Sequence, residues 1–580
     1  MAIAGCPRGI ARLLVSRGFT DENSIRSFFS PALEDLIDPM KMLGMQAAVE
    51  RIQQAIRNSE PMLIYGDYDV DGTTATVLLK TAIERSAPKE TPAIVRYHVP
   101  HRIREGYGMR TGVLADAAAT GIRLVISVDT GIRAFAAATE AKALGLDLIV
   151  TDHHLPDEAQ GVPDAVAVVN PAQPGCPYPF KSLCGAAVAF KLAHAILRAA
   201  CANDSERQRL ERALVPSFLK LVAIATIADA VPLEGENRVI AALGLRELRN
   251  PVQPGLRALM EIAQIPLDRP PTATDVGFRI APRINAAGRM DIASDVVDLF
   301  LTRDPQCARE LAAKLNQLND ERKATEARAL ESIDDRLSEM RSEDGDFPAI
   351  CFVMDDPEWH RGVLGILASR IVDRTGRPAL VLTHEDGQAH GSGRSIAGYH
   401  LLDALTTVHN GNGNLFTRFG GHAHAVGFSL LSADIERLRQ SMENHSGAVL
   451  APGMLAPAIL YDAEVALEEL NLQFYEWLEK CAPFGVGNRE PVFVSRTVTL
   501  ASEVRIIKDR HVCLEVTSAG ARFTALGWSR SSTSWTEICR RLGLTAGSRI
   551  DIAYRLKSKS NPWYVGLELD LVDLQPAQTF

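Results

Sequence analysis

The chain has 580 residues, of which 46% are hydrophobic and 23% charged, with a formal net charge of −9 and a pI near 5.9. This length is typical of about four domains, and the composition is that of an ordinary globular protein. The acidic balance excludes a protein that coats nucleic acid through a net positive charge, so any contact with DNA or RNA has to be a local groove.

Cysteine usage and hydropathy bear on the compartment. Nine cysteines occur singly, without a Cys-x-x-Cys pair. This usage is typical of a reducing compartment and argues against a zinc ribbon or a disulfide framework. The apolar runs fall short of the roughly 20 residues that a membrane-spanning helix needs. We therefore expect a cytoplasmic protein that does not contact a membrane.

The first third of the chain alternates strand-like and helix-like patterns. Residues 124–128 and 146–150 are almost entirely apolar, as in strands buried on both faces of a parallel sheet. Helical patterns lie between the strands, for example over 73–85 and 134–144. The alternation predicts a doubly wound α/β domain. The predicted strands are 61–65, 93–99, 124–128, 146–150 and 165–169.

The rest of the chain predicts three further parts. A polar, helix-favouring stretch over 304–340 keeps Leu311, Leu315 and Leu318 on one stripe. It is followed by a second α/β unit and, from about 456, by alternating strand patterns that predict a small β-barrel. The predicted domains are a parallel-sheet domain with a short helical N-terminal segment (1–300), a connecting helix (301–343), the second α/β domain (344–455) and the barrel (456–580).

Three carboxylates, those of Asp67, Asp69 and Asp71, directly follow the first predicted strand. Alternate residues of an extended segment point the same way, and carboxylates on one side repel one another unless a cation neutralises them. The alternative is a calcium loop of the EF-hand type. Such a loop needs Glu at its twelfth position, where this chain has Leu78.

Further metal-ligand types follow later elements. Asp129 ends the third predicted strand, Asp152, His153 and His154 follow the fourth, and Asp229 ends an apolar helix where an unpaired carboxylate would be costly. The carboxyl ends of parallel strands meet at one crevice. Together these residues predict a centre for two divalent ions, Mn²⁺ or Mg²⁺, about 3.5–4 Å apart, of the kind that hydrolyses phosphate esters.

These motifs resemble the DHH phosphoesterase superfamily and, within it, the RecJ family of single-strand exonucleases. The resemblance covers nearly the whole chain in order. Its motifs are 66–72, 128–131, 152–154, 225–229, 283–290, 420–427 and 483–488. It implies a DHH catalytic domain, a DHHA1 domain and a C-terminal OB-fold.

The resemblance also implies a function. This is 5′→3′ degradation of single-stranded DNA to 5′-mononucleotides with two divalent ions, in recombination and repair beside a single-strand-binding protein and a helicase. We expect a monomer. Two other functions stay open: a DHH-family phosphodiesterase for short oligonucleotides or cyclic dinucleotides, and an inactive DNA-binding replication scaffold. The barrel and the long helix argue against the first, and the complete ligand set argues against the second.

Catalytic roles follow from chemistry and resemblance together. Asp129 and His154 are the candidate catalytic residues of the centre, and Arg289 or Arg283 would stabilise charge on the phosphate, with a structural salt bridge as the alternative for each arginine. By the resemblance, Ser392 and Arg394 hold the 5′ phosphate. They lie in the stretch 391–395, which we predict to be a small-residue loop.

Contacts to DNA are also predicted outside the centre. Arg102 or Arg104 would contact a phosphate, since spacing cannot separate the two, and His422 lies in the DHHA1 signature. In the barrel, bases and aromatics interleave around a predicted hairpin turn. The predicted DNA contacts there are Lys557, Lys559 and Trp563, and the alternative is a solvated hairpin with a core Trp.

Overall fold

The structure is a computed structural model. It describes the chain except residues 1–4, 103, 291–292, 343–345, 456–458, 530–533, 562–563 and 578–580. The chain divides into two compact units. One comprises residues 21–320 with 481–490, and the other comprises residues 1–20, 321–480 and 491–580. Among the described helices, none is long and apolar enough to cross a membrane.

The first unit contains a parallel sheet of five strands. Its strands are β1 (Met62–Tyr65), β2 (Val95–His98), β3 (Leu124–Val128), β4 (Asp147–Thr151) and β5 (Ala167–Val169). They pair in the order β2-β1-β3-β4-β5, and all neighbours are parallel. The predicted strands are therefore confirmed to within about two residues at each end. The strand order reverses between β1 and β3, which is the position where open α/β sheets bind their ligands.

Helices cover both faces of this sheet. Those up to residue 301 are α1 (Arg8–Ser16), α2 (Glu22–Phe29), α3 (Met45–Arg57), α4 (Val70–Ser86), α5 (Thr111–Ala119), α6 (Phe135–Ala143), α7 (Gly185–Ala199), α8 (Asp204–Arg209), α9 (Val215–Ala228), α10 (Gly235–Glu247), α11 (Pro254–Ile262), α12 (Ala273–Asp275), α13 (Ala281–Met290) and α14 (Ser294–Leu301). Helices α5 and α6 pack on one face, and α3, α4, α7 and α9 pack on the other. Two π-helical turns, Leu210–Leu214 and Val276–Ile280, precede α9 and α13.

Helix α1 belongs to the second unit, although the predicted domain 1–300 includes it. Its apolar stripe buries Ile10, Leu13 and Leu14. Arg17, which follows it, forms a 3.0 Å ion pair with Asp462. The apolar stripe and this ion pair fix the N-terminal segment beside the C-terminal barrel rather than beside the parallel sheet.

A single helix, α15 (Pro305–Met340), spans 36 residues, as the sequence predicts. Its first half contributes Leu315 and Leu318 to the core of the first unit. Its second half contributes Ile333 and Leu337 to a core of the second unit. The helix therefore holds an apolar stripe for each unit.

The second unit begins with a mixed sheet. Its elements are β6 (Phe352–Asp355), α16 (Leu364–Thr375), β7 (Ala379–Glu385), β8 (Gln388–Arg394), α17 (Leu401–Gly411), β9 (Phe416–Gly421), β10 (Ala425–Leu431), α18 (Ile435–Val449) and α19 (Pro452–Leu455). The strand order is β6-β7-β8-β10-β9. The prediction of a loop over 391–395 is wrong, because residues 391–394 belong to strand β8. Gly391 and Gly393 leave room for the side chains of Phe428 and Val426, so this small-residue segment packs as a strand.

The C-terminal part is a closed barrel. Its elements are β11 (Ala463–Glu464), α20 (Leu472–Lys480), β12 (Phe493–Leu500), β13 (Arg505–Ile507), β14 (His511–Ser518), β15 (Ala521–Gly527), α21 (Trp535–Arg541), β16 (Arg549–Asn561) and β17 (Tyr564–Pro576). Strands β12, β16, β17, β15 and β14 pair in that order, and β14 pairs back to β12. This closure confirms the predicted OB-type barrel.

Candidate metal centre

The carboxylate-rich loop between β1 and α4 is shaped by its own side chains. Asp69 caps α4, because one of its oxygens accepts hydrogen bonds from the N–H groups of Asp71 (2.9 Å) and Gly72 (3.0 Å). A Cβ on Gly72 would lie 2.6 Å from the Cα of Asp67. Glycine therefore allows the loop to fold back on itself and brings the three carboxylates together.

Asp71 is held at the start of a second helix. Its two oxygens accept hydrogen bonds from the N–H groups of Gly185 (2.6 Å) and Ala186 (2.7 Å), in the first turn of α7. Free N–H groups and the helix dipole make a helix N-terminus a favourable place for a carboxylate. Asp71 is therefore held in one position, with both oxygens hydrogen-bonded, although it is buried.

Asp129 follows β3 in a left-handed backbone conformation, with φ of 59°. Its N–H group donates to the carbonyl of Thr151 at 3.0 Å. Its Oδ1 atom is buried and receives no hydrogen bond within the described parts of the chain. A buried carboxylate oxygen without a donor is costly, and a bound cation would satisfy it. This atom is the strongest local indication of a metal site.

His153 joins these carboxylates. Its Nε2 atom lies 3.3 Å from Asp129 Oδ1, and 3.8 Å from both Asp71 Oδ2 and Asp229 Oδ2. Three groups of described side chains have ligand atoms within 4.8 Å of one another. They are Asp129, His153 and His154; Asp71, His153 and Asp229; and Asp67, Asp69 and Asp129. Oxygen and nitrogen ligands in this mixture fit Mn²⁺ or Mg²⁺.

Burial and mutual repulsion make the cluster electrostatically unfavourable by itself. Burial, and next the neighbouring carboxylates, raise the pKa values of Asp67, Asp69, Asp129 and Asp229. Burial, and next the neighbouring His154, lower the pKa of His153. A neutral imidazole is the form that ligates a metal, and divalent cations would offset the carboxylate repulsion.

Asp152 has a different environment from the other carboxylates. It is fully buried, and it accepts hydrogen bonds from the N–H groups of Ile132 (2.9 Å) and His153 (2.8 Å) and from His154 Nδ1 (2.7 Å). Burial opposes charge on His154, but the hydrogen bond to Asp152 raises the pKa of His154 to about 9. Within the described chain, Asp152 is in none of the three groups, so its geometry is that of a residue that orients His154.

The cluster opens to solvent on one side. The side chains of Asp71 and Asp129 are 2% and 3% exposed, whereas those of Asp229 and His154 are 25% and 45% exposed. A phosphate can therefore reach the carboxylates past the last two residues.

Comparisons with known proteins agree with this geometry. The DHH family, N-terminal domain, matches residues 61–226, the DHHA1 domain matches 347–445, and the RecJ OB domain matches 461–571. The single-stranded-DNA-specific exonuclease RecJ of Dickeya dadantii is 36% identical over 558 residues, which are 95% of this chain and 93% of the relative. The chain belongs to the RecJ family of single-stranded-DNA-specific exonucleases.

Other RecJ proteins extend the comparison. RecJ of Bacillus subtilis is 37% identical over 94% of this chain, which spans 65% of that relative. RecJ of Escherichia coli is 33% identical over 92% of this chain and 91% of its own length. The solved structure of Thermus thermophilus RecJ in complex with Mn²⁺ superposes with a TM-score of 0.79 at 27% identity, over 99% of this chain and 76% of that one.

Two of the five predicted arginines, Arg102 and Arg289, lie beside the carboxylate loop of this RecJ-family chain. The guanidinium of Arg102 stacks 5.1 Å from the ring centroid of Tyr68. Burial, and next Asp67, raise the pKa of Tyr68, while the charges of Arg102 and Arg289 oppose that increase. Arg104 is exposed, and its backbone N–H group donates to His101 Nδ1 at 3.4 Å. Of the two arginines, Arg102 is the one stacked on Tyr68.

Arg283 is oriented differently. It donates to the side chain of Asn316 (2.9 Å) and to the carbonyl of Arg279 (2.6 Å). These contacts fix α13 to α15. They are hydrogen bonds to neutral groups and use Nε and Nη1 of the guanidinium.

The predicted phosphate ligands of the second unit lie on β8 and at the end of β9. Ser392 Oγ donates to the carbonyl of Val426 (3.2 Å), and Arg394 donates to Ser392 Oγ (3.3 Å). Both side chains face the first turn of α16, since a Cβ on Gly365 would lie 3.1 Å from Ser392 Oγ. His422 is exposed directly after β9.

The predicted barrel contacts are only partly described. Lys557 and Lys559 lie on β16, and Lys559 forms a 3.6 Å ion pair with Glu568. Trp563 lies outside the described residues. The ion pair leaves Lys559 less available for a phosphate than the sequence suggests.

Sequence reasoning missed the residues that position the ligands. Asn285 accepts a hydrogen bond from the N–H group of Val70 at 3.2 Å, and a Cβ on Gly288 would lie 2.5 Å from the carbonyl oxygen of Tyr68. Both residues belong to the motif 283–290, in which the sequence predicts roles only for Arg283 and Arg289. Tyr107 OH lies 3.3 Å from His154 Nδ1, and no pattern in the sequence pairs these two side chains.

Proposed function

We propose that this chain degrades single-stranded DNA from the 5′ end and releases 5′-mononucleotides in DNA recombination and repair, with two divalent cations, Mn²⁺ or Mg²⁺, as cofactor. The curated relatives are named single-stranded-DNA-specific exonucleases. Two similar solved structures are described as RecJ in complex with Mn²⁺ and with Mg²⁺. The observation that carries the proposal is Asp129 Oδ1, which accepts no hydrogen bond from the described residues, inside a cluster of carboxylates and two imidazoles.

The ligand roles follow from the free atoms of each side chain. Asp67, Asp69, Asp71, Asp129, Asp229 and His153 would hold the cations. When bound, divalent cations stabilise negative charge on a phosphate and make water a stronger nucleophile. Asp152 fixes the ring of His154, which lies at the opening of the cluster and would donate a hydrogen bond to the scissile phosphate. Arg102 and Arg289 would neutralise charge on the same group.

End recognition is assigned to the second unit. Ser392 and Arg394 supply a hydroxyl and a guanidinium that lie together beside Gly365 in the first turn of α16. This combination binds a terminal phosphate well. It supports the 5′→3′ direction, because an enzyme that holds a 5′ phosphate starts from that end.

The proposal also covers the location, the oligomeric state and the partners of the enzyme. Nine free cysteines fit a cytoplasmic location. We also assign a monomer that works beside a single-strand-binding protein and a helicase, as the family resemblance implies. Light scattering of the purified protein tests the first assignment, and co-purification with each partner tests the second.

Digestion of a single-stranded oligonucleotide, labelled at the 5′ or the 3′ end, tests direction and metal dependence together. We expect labelled mononucleotide to appear first from the 5′ end, with Mn²⁺ or Mg²⁺ and not with EDTA. Early release from the 3′ end would exclude the direction, and cleavage in EDTA would exclude the metal mechanism.

A variant pair tests the centre itself. Asp129→Asn should abolish cleavage and weaken Mn²⁺ binding while leaving DNA binding largely intact. Asp116→Asn, an exposed carboxylate on α5, is the matched control and should behave as wild type. Equal activity of the two variants would remove Asp129 from the centre.

A further inference from the structure

A cleft of about 430 Å³ lies in the first unit where α4 and α7 end. Arg85 in the last turn of α4 and Leu197 near the end of α7 line it, and the π-helical turn Leu210–Leu214 forms a third wall. This volume is within the range of small-molecule sites, roughly 300–1,000 Å³. Nothing in the proposed function uses it.

The lining has two chemical parts. Leu197, Leu210 and Leu214 supply an apolar surface, and Arg85 and Arg209 supply exposed guanidinium groups. Neither arginine has an ion pair or a hydrogen bond within the described parts of the chain. Glu206 also lines the cleft, but its carboxylate accepts hydrogen bonds from Ala202 N–H (2.8 Å) and the Asn203 side chain (3.3 Å). The cleft therefore offers two guanidinium groups and apolar surface, beside one carboxylate whose oxygens are already hydrogen-bonded within the chain.

The two helices that end at this cleft begin at the metal centre. Asp69 caps the first turn of α4, and the N–H groups in the first turn of α7 hold Asp71. With 17 and 15 residues, the helices span about 25 Å and 22 Å. Both contribute to one core, so each helix is a continuous packed connection between the cleft and the centre.

The π-helical turn Leu210–Leu214 forms the third wall of the cleft. Such turns are rare, and they occur frequently at functional sites. Here the turn contributes Leu210 and Leu214 to the wall and leads directly into α9, the helix that ends at Asp229. Helices α4 and α7 and the π-helical turn therefore border one cleft, and each is joined to the metal centre through α4, α7 or α9.

We propose that this cleft binds an organic anion with an apolar body, and that its occupancy changes the cation affinity of the metal centre. The anionic group would lie between Arg85 and Arg209, and the apolar body would lie against the three leucines. Coupling between two sites is reciprocal, so Mn²⁺ would change the affinity of the cleft by the same factor. Only this coupling rests on the proposed function.

The fluorescent dye 8-anilinonaphthalene-1-sulfonate, an aromatic sulfonate, is a direct probe of the full chain. We expect one saturable site, and the double variant Arg85→Ala/Arg209→Ala should weaken dye binding by about tenfold or more, as loss of hydrogen bonds to a charged group does. Ala213→Phe, on the exposed side of the π-helical turn, should block the cleft without removing charge. Arg57→Ala, an exposed arginine in the last turn of α3, is the matched control and should bind the dye as wild type.

Competition and calorimetry decide the ligand class and the coupling. Decanoate and deoxyadenosine monophosphate represent a carboxylate on an alkyl chain and a phosphate on a nucleoside, and displacement of the dye by one of them identifies the source of the anion. Mn²⁺ titrated calorimetrically with and without saturating dye should show affinities that differ by about fivefold or more. Dye binding that survives both cleft variants, displacement by neither anion, or an unchanged Mn²⁺ affinity would each overturn the proposal. A chain that binds dye and Mn²⁺ as expected but leaves DNA intact would instead refute the nuclease function.

Discussion

Gly185 provides the sharpest test of the metal centre. It occupies the first position of α7 and donates its N–H group to Asp71. In Gly185→Ala, the new Cβ would lie 2.6 Å from the Cγ of Asp129, where ordinary contact begins at 3.4 Å. The carboxylate has to move by roughly 0.8 Å, and a misplacement of about 1 Å can lower a catalysed rate by about 10²-fold. We therefore expect about a hundredfold loss of activity and weaker Mn²⁺ binding.

The assay separates this local effect from instability. Gly112→Ala is the matched control, because Gly112 is also helical and a Cβ there meets nothing within 4 Å. This control should keep full activity and gain up to about 1 kcal/mol in unfolding free energy. Exonuclease rates, Mn²⁺ calorimetry and urea unfolding are measured for both variants. If Gly185→Ala cleaves DNA and binds Mn²⁺ like the control, then the carboxylate of Asp129 does not lie against the first turn of α7.

Three further predictions follow from individual contacts. In Asp152→Asn, the new amide NH₂ group has to face a donor, either Ile132 N–H or His154. Urea unfolding should therefore show a loss of about 1–3 kcal/mol in unfolding free energy. Wild-type stability would contradict the role of Asp152 as a buried acceptor. Arg102→Ala should lower kcat/KM by an amount equivalent to a loss of about 1.5–3 kcal/mol in transition-state stabilisation. Arg104→Ala should change kcat/KM little. Equal losses in the two variants would contradict the stacked position of Arg102. Burial opposes the charge of Asp551, but hydrogen bonds led by that from a backbone N–H lower its pKa. Its carboxylate therefore stabilises the fold above the unfolded pKa of about 3.9 and loses that contribution as pH falls toward the folded pKa. The stability difference between wild type and Asp551→Asn should shrink below about pH 4, and a constant difference would refute this.

The fold was predictable where a pattern has one physical solution. The short, almost entirely apolar segment 124–128 predicts a strand that is buried on both faces. The structure has β3 over the same residues, and all five are buried. The segment 391–395 has no such pattern, because its glycines suit a loop as well as a strand. Its conformation is decided by Phe428 and Val426, more than 30 residues later in the chain. The same limit applies to Arg102 and Arg104, which only the position of Tyr68 distinguishes.

The metal centre shows why residue type alone cannot say how each predicted ligand is positioned. The sequence predicts eight ligands because a carboxylate or imidazole at a strand end is chemically competent wherever it occurs. In the structure, the available atoms depend on hydrogen bonds that the backbone has already made. Asp152 accepts hydrogen bonds on both oxygens, whereas Asp129 keeps a buried oxygen that accepts none from the described residues. Asp71 accepts two N–H groups and still lies 3.8 Å from His153, so a carboxylate can be positioned by a helix and remain able to bind a cation. The distinction between a ligand and an orienting residue is therefore set by the directions of N–H groups in α7 and in the turn after β4, which exist only once the sheet and its helices have formed.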